Sequence, residues 1–329
     1  MQVKHVVSVS GGKDSLATLL LALDRCPRDS VVPIFCDTGN EHDQTYAYLS
    51  YMEQTLGVKI KRLKADFTEQ LARKRLFISR DQRTGRDKSG RKLRWSNKAK
   101  RSALAVMYPS GNPFLDLCMW KGRFPSRKAQ FCTEELKRNM AVSFQLELME
   151  DGHKVVSWQG IRRDESFNRS KSKRAERIGP GLWIFRPIVE WTAPQTFEIA
   201  RAKGMQPNPL YLQGMGRVGC MPCINCNKSE LRQIANRFPE HIERIADWER
   251  VVSACSKRGR STFMTDAHDG KDRRQVFSDL NIWARVEWSK TSRGGRQFNF
   301  LDELEHDVSG GCSSSYGLCE QSDFNLETA

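Results

Sequence analysis

The chain has 329 residues, with 54 Lys and Arg against 39 Asp and Glu and a formal net charge of +15. This length allows one elaborated domain or two, and the positive balance favours an anionic partner such as a nucleotide, a nucleic acid or a sulfated compound. The sequence has no apolar run of membrane-spanning length and no charged leader, which excludes a membrane protein and predicts a cytoplasmic one. In a cytoplasmic protein, the ten cysteines are expected to be free thiols, metal ligands or redox groups and not a disulfide framework.

A glycine turn follows the first apolar run of the chain. Residues 5–9 are typical of a strand and residues 16–23 of a helix, with Ser-Gly-Gly-Lys-Asp-Ser between them. Two glycines permit a sharp turn close to a ligand, and the N–H groups at a helix start attract an anion. The alternative is an ordinary strand-to-helix turn. We predict a phosphate-binding loop made of Ser10, Gly11, Gly12, Lys13, Asp14 and Ser15.

These six residues match the S-G-G-x-D-S signature, so the chain resembles the PP-loop ATP pyrophosphatases of the adenine nucleotide alpha-hydrolase-like superfamily. The resemblance implies that the loop holds pyrophosphate or the β and γ phosphates of ATP. It also implies attack on the α-phosphate, hence transfer of AMP, with Lys13 and Asp14 as catalytic residues. The P-loop pattern of γ-phosphoryl transfer is absent.

Strand-like and helix-like runs then alternate, at residues 31–35, 42–56 and 58–63, which predicts a doubly wound, mostly parallel α/β sheet. Residues 35–41 resemble the F-x-D-T-G-x-E segment of the phosphoadenosine-phosphosulfate (PAPS) reductase branch. This resemblance adds Asp37, Thr38, Gly39 and Glu41 to the nucleotide site. Asp37 and Glu41 are candidates for a Mg²⁺ shell, or alternatively cap the next helix.

A basic insertion occupies about residues 66–112. Residues 73–101 hold 13 Lys or Arg against two Asp, together with Trp95. The segment is a candidate for binding a nucleic-acid backbone, with Trp95 as a base-stacking platform. The alternative is a solvated loop.

Two later segments extend the resemblance to the reductase branch. Residues 132–137 resemble C-T-x-x-L-K and imply Thr133 and Lys137 as phosphate or sulfate contacts, while Cys132 is either a site residue or a small buried one. A strand predicted at residues 154–158 precedes a segment like G-x-R-x-x-E-S. Its candidate nucleotide-binding residues are Gly160, Arg162, Glu165 and Ser166, and Arg162 and Arg163 are candidate catalytic residues for the charge developing at the α-phosphate.

Three cysteines, Cys220, Cys223 and Cys226, have the C-x-x-C-x-x-C spacing of a metal loop. Candidates for a fourth ligand are Cys255, Cys312 and Cys319. Thiolates alone suit an iron–sulfur cluster or Zn²⁺. Resemblance to the relatives that work in DNA phosphorothioation favours a [4Fe-4S] cluster; a redox disulfide or buried thiols are the alternatives.

These patterns predict a nucleotide-binding domain at residues 1–215 and a helical region with the cysteine loop at residues 216–329. The leading hypothesis is an enzyme that adenylates an acceptor, in sulfur transfer or nucleic-acid modification, with release of pyrophosphate. A second hypothesis is reduction of PAPS or adenosine phosphosulfate (APS) to sulfite, with Cys319 as nucleophile and a thioredoxin-type reductant. The tail around Cys319 departs from the E-C-G-x-H order of true reductases. A third is a non-catalytic, basic nucleic-acid-binding protein.

Overall fold

The computed structural model describes residues 2–88, 90–264, 280–292 and 297–298. A six-stranded sheet has the order β3-β2-β1-β4-β6-β5, and all neighbouring strands are parallel except β5 and β6. The strands are β1 (Val3–Ser8), β2 (Val31–Asp37), β3 (Lys61–Lys64), β4 (Lys154–Trp158), β5 (Ala175–Gly179) and β6 (Leu182–Phe185). The predicted doubly wound α/β fold is confirmed.

Helices cover both faces of this sheet, because successive residues of a strand point to opposite sides. Val7 packs with helices α1 (Lys13–Arg25), α2 (Asp43–Leu56) and α8 (Ala193–Ala202), whereas its neighbour Val6 packs with α7 (Asn139–Glu150). α7 continues a short helix, α6 (Phe131–Thr133), through a π-helical turn at Glu134–Arg138. Such turns are frequent at functional sites, and this one contains Lys137.

A second apolar core joins the insertion to the C-terminal helices. Its helices are α3 (Thr68–Ser79), α4 (Asn97–Val106), α5 (Pro113–Lys121), α10 (Lys228–Arg237), α11 (Pro239–Cys255) and α12 (Ile282–Ser289). Trp95 is only 5% exposed in this core, so the prediction of a base-stacking platform at Trp95 is wrong. Burying its indole is more favourable than leaving it in water.

The described residues also form a short helix α9 (Pro209–Leu212), three short 3-10 turns, and an antiparallel pair of strands, β7 (Thr291–Ser292) and β8 (Gln297–Phe298). α10 and α11 are separate helices, because Pro239 begins the second one. Among the described residues, no helix is long and apolar enough to cross a membrane.

Candidate functional site

The phosphate loop, residues 10–15, lies where strand order reverses between β1 and β4, the position at which doubly wound sheets bind ligands. The Ser15 hydroxyl donates to the Gly12 carbonyl at 2.8 Å and accepts the Ser10 N–H at 3.1 Å. Gly12 is the N-cap of α1 and has no side chain to cap the helix. N–H groups of the first turn therefore face the loop, as an anion site requires.

Helix α9 and the residue before it support the loop from behind. Asn208 Nδ2 donates to the Gly11 carbonyl at 3.1 Å, and the Lys13 N–H donates to the Tyr211 hydroxyl at 3.0 Å. A Cβ at Gly12 would lie 3.2 Å from that hydroxyl oxygen. The sequence analysis did not include Asn208 and Tyr211 in the site, although the Asn-Pro-Leu-Tyr run after a helix was the available signal.

Arg162 joins the end of β4 to the phosphate loop. Its guanidinium is 5% exposed and donates to Asp14 Oδ1 at 2.5 Å and to Asp164 at 2.5 and 2.6 Å. Lys13 Nζ lies 3.1 Å from the other oxygen of Asp14. One carboxylate thus orients two cations beside the phosphate loop.

Gly160 allows this close approach. A Cβ at Gly160 would lie 2.8 Å from the Asp14 carbonyl oxygen and 3.0 Å from Thr18 Oγ1. A side chain there would push the end of β4 away from α1 and separate Arg162 from Asp14.

The structure does not bring the other residues of this segment to the phosphate loop. Arg163 donates to the Ser172 carbonyl at 3.0 Å and to Glu190 at 3.1 Å. Glu165 pairs with Arg169, and Ser166 is exposed. Only Arg162 of the two predicted arginines contacts the loop in the described structure.

The loop after β2 is internally hydrogen-bonded. Asp37 Oδ1 accepts the Gly39 N–H at 2.9 Å and the Tyr46 hydroxyl at 2.7 Å. Glu41 is 4% exposed, and its two oxygens accept the Thr38 hydroxyl at 2.7 Å and the Thr38 N–H at 3.2 Å. Glu41 therefore stabilises the turn with both carboxylate oxygens, whereas Asp37 stabilises it through Oδ1.

The cysteine loop, residues 219–226, is attached to this turn. The Met221 N–H donates to the Asn40 carbonyl at 2.7 Å, and Asn40 Nδ2 donates to the Pro222 carbonyl at 2.9 Å. Cys220 Sγ lies 3.4 Å from Thr38 Oγ1 and 3.8 Å from Glu41 Oε1. The predicted nucleotide loop and the predicted metal loop therefore form one continuous region.

Lys137 lies among thiols and a carboxylate. The pKa of its ammonium is raised by the charge of Cys220 and then by those of Glu41, Cys223 and Cys132, although burial lowers it. Burial raises the pKa of the Cys220 thiol to about 12, and Lys137 opposes that rise. Lys137 thus supplies positive charge where thiolates would need it.

Cys132, left ambiguous by the sequence, belongs to this group. Its pKa is raised by burial and then by the charge of Cys223, which places the two thiols within electrostatic reach of each other. Cys226 is buried, and Arg217 carries a raised pKa because Cys223, Glu230, Cys220 and Cys226 offset the effect of burial. We call Cys132, Lys137, Arg217, Cys220, Cys223 and Cys226 the cysteine pocket.

The other predicted ligands lie elsewhere. Cys255 is buried at the end of α11, where burial raises its pKa to about 12 and Arg75 is the nearby charge. Cys312 and Cys319 lie outside the described residues. Thr133 is exposed on the helix that carries Lys137.

Among the described residues, the set of three donor groups close enough to share one ion is His42, Glu240 and His241, within 4.8 Å of one another. His42 Nδ1 accepts the Gln44 N–H at 3.0 Å, and Arg244 donates to His241 Nδ1 at 2.7 Å. Both neutral rings then carry their proton on Nε2, which leaves no lone pair for a cation. Desolvation lowers both pKa values, that of His241 to about 4, so both rings are neutral, and it is their hydrogen bonds at Nδ1 that make this set a poor fit for a metal.

The chain is similar to a known protein family and to several known proteins. The family model described as the phosphoadenosine phosphosulfate reductase domain matches residues 4–226. An Escherichia phage 186 protein, "Uncharacterized 37.8 kDa protein in gpa 5'region", is 45% identical over 328 residues and 96% of each chain. "Uncharacterized protein MJ0066" of Methanocaldococcus jannaschii is 28% identical over 77% of this chain and 42% of its own. A solved structure of PAPS reductase from Candida auris aligns with a TM-score of 0.40 and 15% identity, over 68% of this chain and 83% of its own.

Proposed function

The chain belongs to the phosphoadenosine phosphosulfate reductase domain family, and we propose that it binds ATP and transfers AMP to an acceptor oxygen with release of pyrophosphate. The observation that carries this proposal is the Arg162–Asp14–Lys13 chain of ion pairs at the switch point of the sheet. It places two cations beside the start of α1, where the N-cap residue Gly12 has no side chain to cap the helix, which suits a triphosphate.

In the proposed reaction, an acceptor oxygen attacks the α-phosphorus and the bond between the α- and β-phosphates breaks. The acceptor keeps AMP, pyrophosphate leaves with the bonding electron pair, and the acceptor proton passes to solvent. Residues 10–15 would hold the leaving pyrophosphate, and Arg162 would stabilise the charge that develops at the α-phosphate. The AMP ester would activate that oxygen for replacement by sulfur.

Mg²⁺ is the cation that usually accompanies ATP, and it prefers oxygen ligands. Asp37 fits this role better than Glu41, because both Glu41 oxygens already accept hydrogen bonds within the turn. Thr38 and Gly39 belong to the same turn, and Gly39 has a φ of +73° that favours glycine.

For the cysteine pocket we propose a [4Fe-4S] cluster held by Cys132, Cys220, Cys223 and Cys226. The donor set fits, since thiolates are the usual ligands of such clusters and Lys137 and Arg217 would balance their negative charge. The thiols do not group around one point in the described chain as a single Zn²⁺ would require, so zinc is the second candidate. Bound there, the cluster would supply redox or sulfur-handling chemistry beside the nucleotide.

The test is pyrophosphate release from ATP by anaerobically purified protein, with iron, zinc and sulfide measured on the same sample. We expect release that depends on an acceptor and is lost in Arg162→Gln. Failure to release pyrophosphate with any nucleic-acid or sulfur-containing acceptor would contradict adenylation.

The family description favours one alternative, reduction of PAPS or APS to sulfite. That reaction needs a thiolate to attack sulfur and a thioredoxin-type reductant to restore it. If the wild-type protein releases sulfite and Cys319→Ser does not, that result would support reduction over AMP transfer.

A further inference from the structure

A basic cleft of about 460 Å³ lies on the outer side of the helix that carries Lys137. We propose that this cleft binds the phosphodiester backbone of a nucleic-acid acceptor, an inference that rests on the AMP transfer proposed above. The residues that line the cleft and carry the argument are Lys121, Arg123, Lys128, Phe131, Glu134 and Arg138.

The charge of the cleft is strongly one-sided. Its lining has four Lys or Arg side chains and a single carboxylate, Glu134. Glu134 pairs with Arg138, and Lys121 pairs with Glu135 at 2.9 Å. Arg123 and Lys128 are exposed and form no ion pair with the residues that the structure describes. These two cations are therefore available to an anion from outside.

The floor of the cleft favours phosphate over a stacked base. Phe131 is 9% exposed, and the charged groups of Lys121 and Arg123 lie 5.9 and 5.7 Å from the centre of its ring. The ring is covered by cations instead of being open to a base. A ligand entering here meets ammonium and guanidinium groups, which bind the backbone of any sequence.

Basic residues continue beyond the cleft, which favours a polymer over a single nucleotide. The Phe124 N–H donates to Ser261 Oγ at 3.2 Å, so the cleft loop adjoins the exposed basic residues 257–260. Lys257 in turn donates to the carbonyls of Lys92 and Leu93, the latter at 2.8 Å, within the basic insertion. Three basic segments far apart in sequence thus meet on one side of the molecule.

The cleft also adjoins the cysteine pocket. Arg127, in the loop that forms one wall, donates to the Cys226 carbonyl at 3.5 Å. Cys132 and Thr133 are consecutive on the helix, with Cys132 among the thiols and Thr133 lining the cleft. A backbone held in the cleft would therefore contact the helix that carries Cys132.

The experiment compares Arg123→Gln/Lys128→Gln with the charge-matched control Lys171→Gln/Lys173→Gln. The control residues are exposed and precede β5, the strand at the end of the sheet opposite β3. Binding to a labelled DNA of about 20 nucleotides is measured, single-stranded and as a duplex, across salt concentrations. ATP affinity is measured separately on every variant, and circular dichroism confirms folding.

We expect the cleft variant to lose roughly tenfold in DNA affinity and its log–log salt slope to fall by about 1 to 2, because up to two phosphate contacts disappear. The control variant should change DNA affinity by less than about twofold, and its log–log salt slope should stay close to that of the wild type. Arg123→Lys/Lys128→Arg should keep the wild-type slope, since it keeps both charges.

Equal DNA slopes in the cleft and control variants would overturn the proposal. So would loss of ATP affinity in the cleft variant with unchanged DNA binding, which would make the cleft a nucleotide site. If no variant or wild-type protein binds ATP, AMP transfer fails while the DNA result still decides the cleft.

Discussion

The phosphate loop and the cysteine pocket balance charge in different ways. At the phosphate loop Asp14 lies between Lys13 and Arg162, so the protein neutralises its own charges. In the cysteine pocket Lys137 and Arg217 lie near thiols, and burial raises the pKa of Cys132 and Cys220, while Glu41 is the carboxylate near Lys137. The first region pairs its charged groups with one another, whereas the cations of the second lie beside thiols that would add negative charge as thiolates on binding the proposed cluster.

The largest effect should come from removing a thiol of the pocket. Cys132→Ser should lose most of the iron and sulfide of anaerobically purified protein, because a serine hydroxyl is a poor substitute for a thiolate ligand. The control is Cys26→Ser, at the end of α1 and away from the pocket. Metal analysis and the visible absorption spectrum are the measurements. Full iron content in Cys132→Ser would show that Cys132 is not a ligand of the proposed cluster.

The next largest effect tests the self-neutralised loop. Arg162→Gln should destabilise the protein by about 3 kcal/mol, because it removes a 5% exposed cation from Asp14 and Asp164. Arg163→Gln, which breaks an exposed pair with Glu190 and a hydrogen bond to the Ser172 carbonyl, should cost only about 1 kcal/mol. Urea unfolding measures both, and equal losses would show that Arg162 is an ordinary surface arginine.

A smaller loss of stability should follow from disturbing the close packing of Gly160, at the end of β4, against α1. Gly160→Ala should cost roughly 2–3 kcal/mol and weaken ATP binding, since its Cβ would lie 2.8 Å from the Asp14 carbonyl oxygen. Gly179→Ala has nothing within 4 Å of the added carbon and serves as the control. Thermal unfolding and ATP titration are the measurements; wild-type ATP affinity in Gly160→Ala would mean that the edge tolerates displacement.

The smallest effect concerns a buried carboxyl of the second core, Glu249, which accepts the N–H groups of Phe263 and Ile282 at 2.7 and 2.9 Å. Burial raises its pKa to about 7. The folded state therefore keeps a proton that the unfolded state loses above about pH 4.5, and the free energy of unfolding should fall by about 2 kcal/mol between pH 5 and 7.

Glu249→Gln cannot ionise and should remove this fall, although it loses one hydrogen bond. Glu243→Gln, exposed on the same helix, should keep the wild-type pH dependence. Urea unfolding at several pH values compares the three proteins. Parallel curves for the wild type and Glu249→Gln would show that Glu249 ionises freely.

The sequence predicted the sheet and its loops well, because a strand, a glycine turn and a helix start are local features. The predicted strand at residues 154–158 agrees with β4, and the helix-like run at residues 42–56 corresponds to α2.

What the sequence could not show depends on contacts between distant segments. Arg162 and Arg163 are adjacent in the chain, yet only Arg162 turns towards Asp14, 148 residues away. Trp95 lies in a basic segment whose composition is typical of a solvated loop, but its side chain is buried in the second core. Cys132 and Cys223, 91 residues apart in the chain, pack against the same apolar core, which spacing alone does not reveal.

The second core has a consequence for how this protein can vary. Residues of the insertion, such as Leu71 and Met107, and residues of the C-terminal helices, such as Ile242 and Val252, bury one another. The boundary predicted near residue 215 separates these two sides, since the insertion lies before it and α10, α11 and α12 after it. A truncated gene ending there would expose the apolar face of the insertion, and a gene lacking the insertion would expose the helices. Each segment therefore depends on the other for its apolar cover, although the later part of the nucleotide-binding domain lies between them in the sequence.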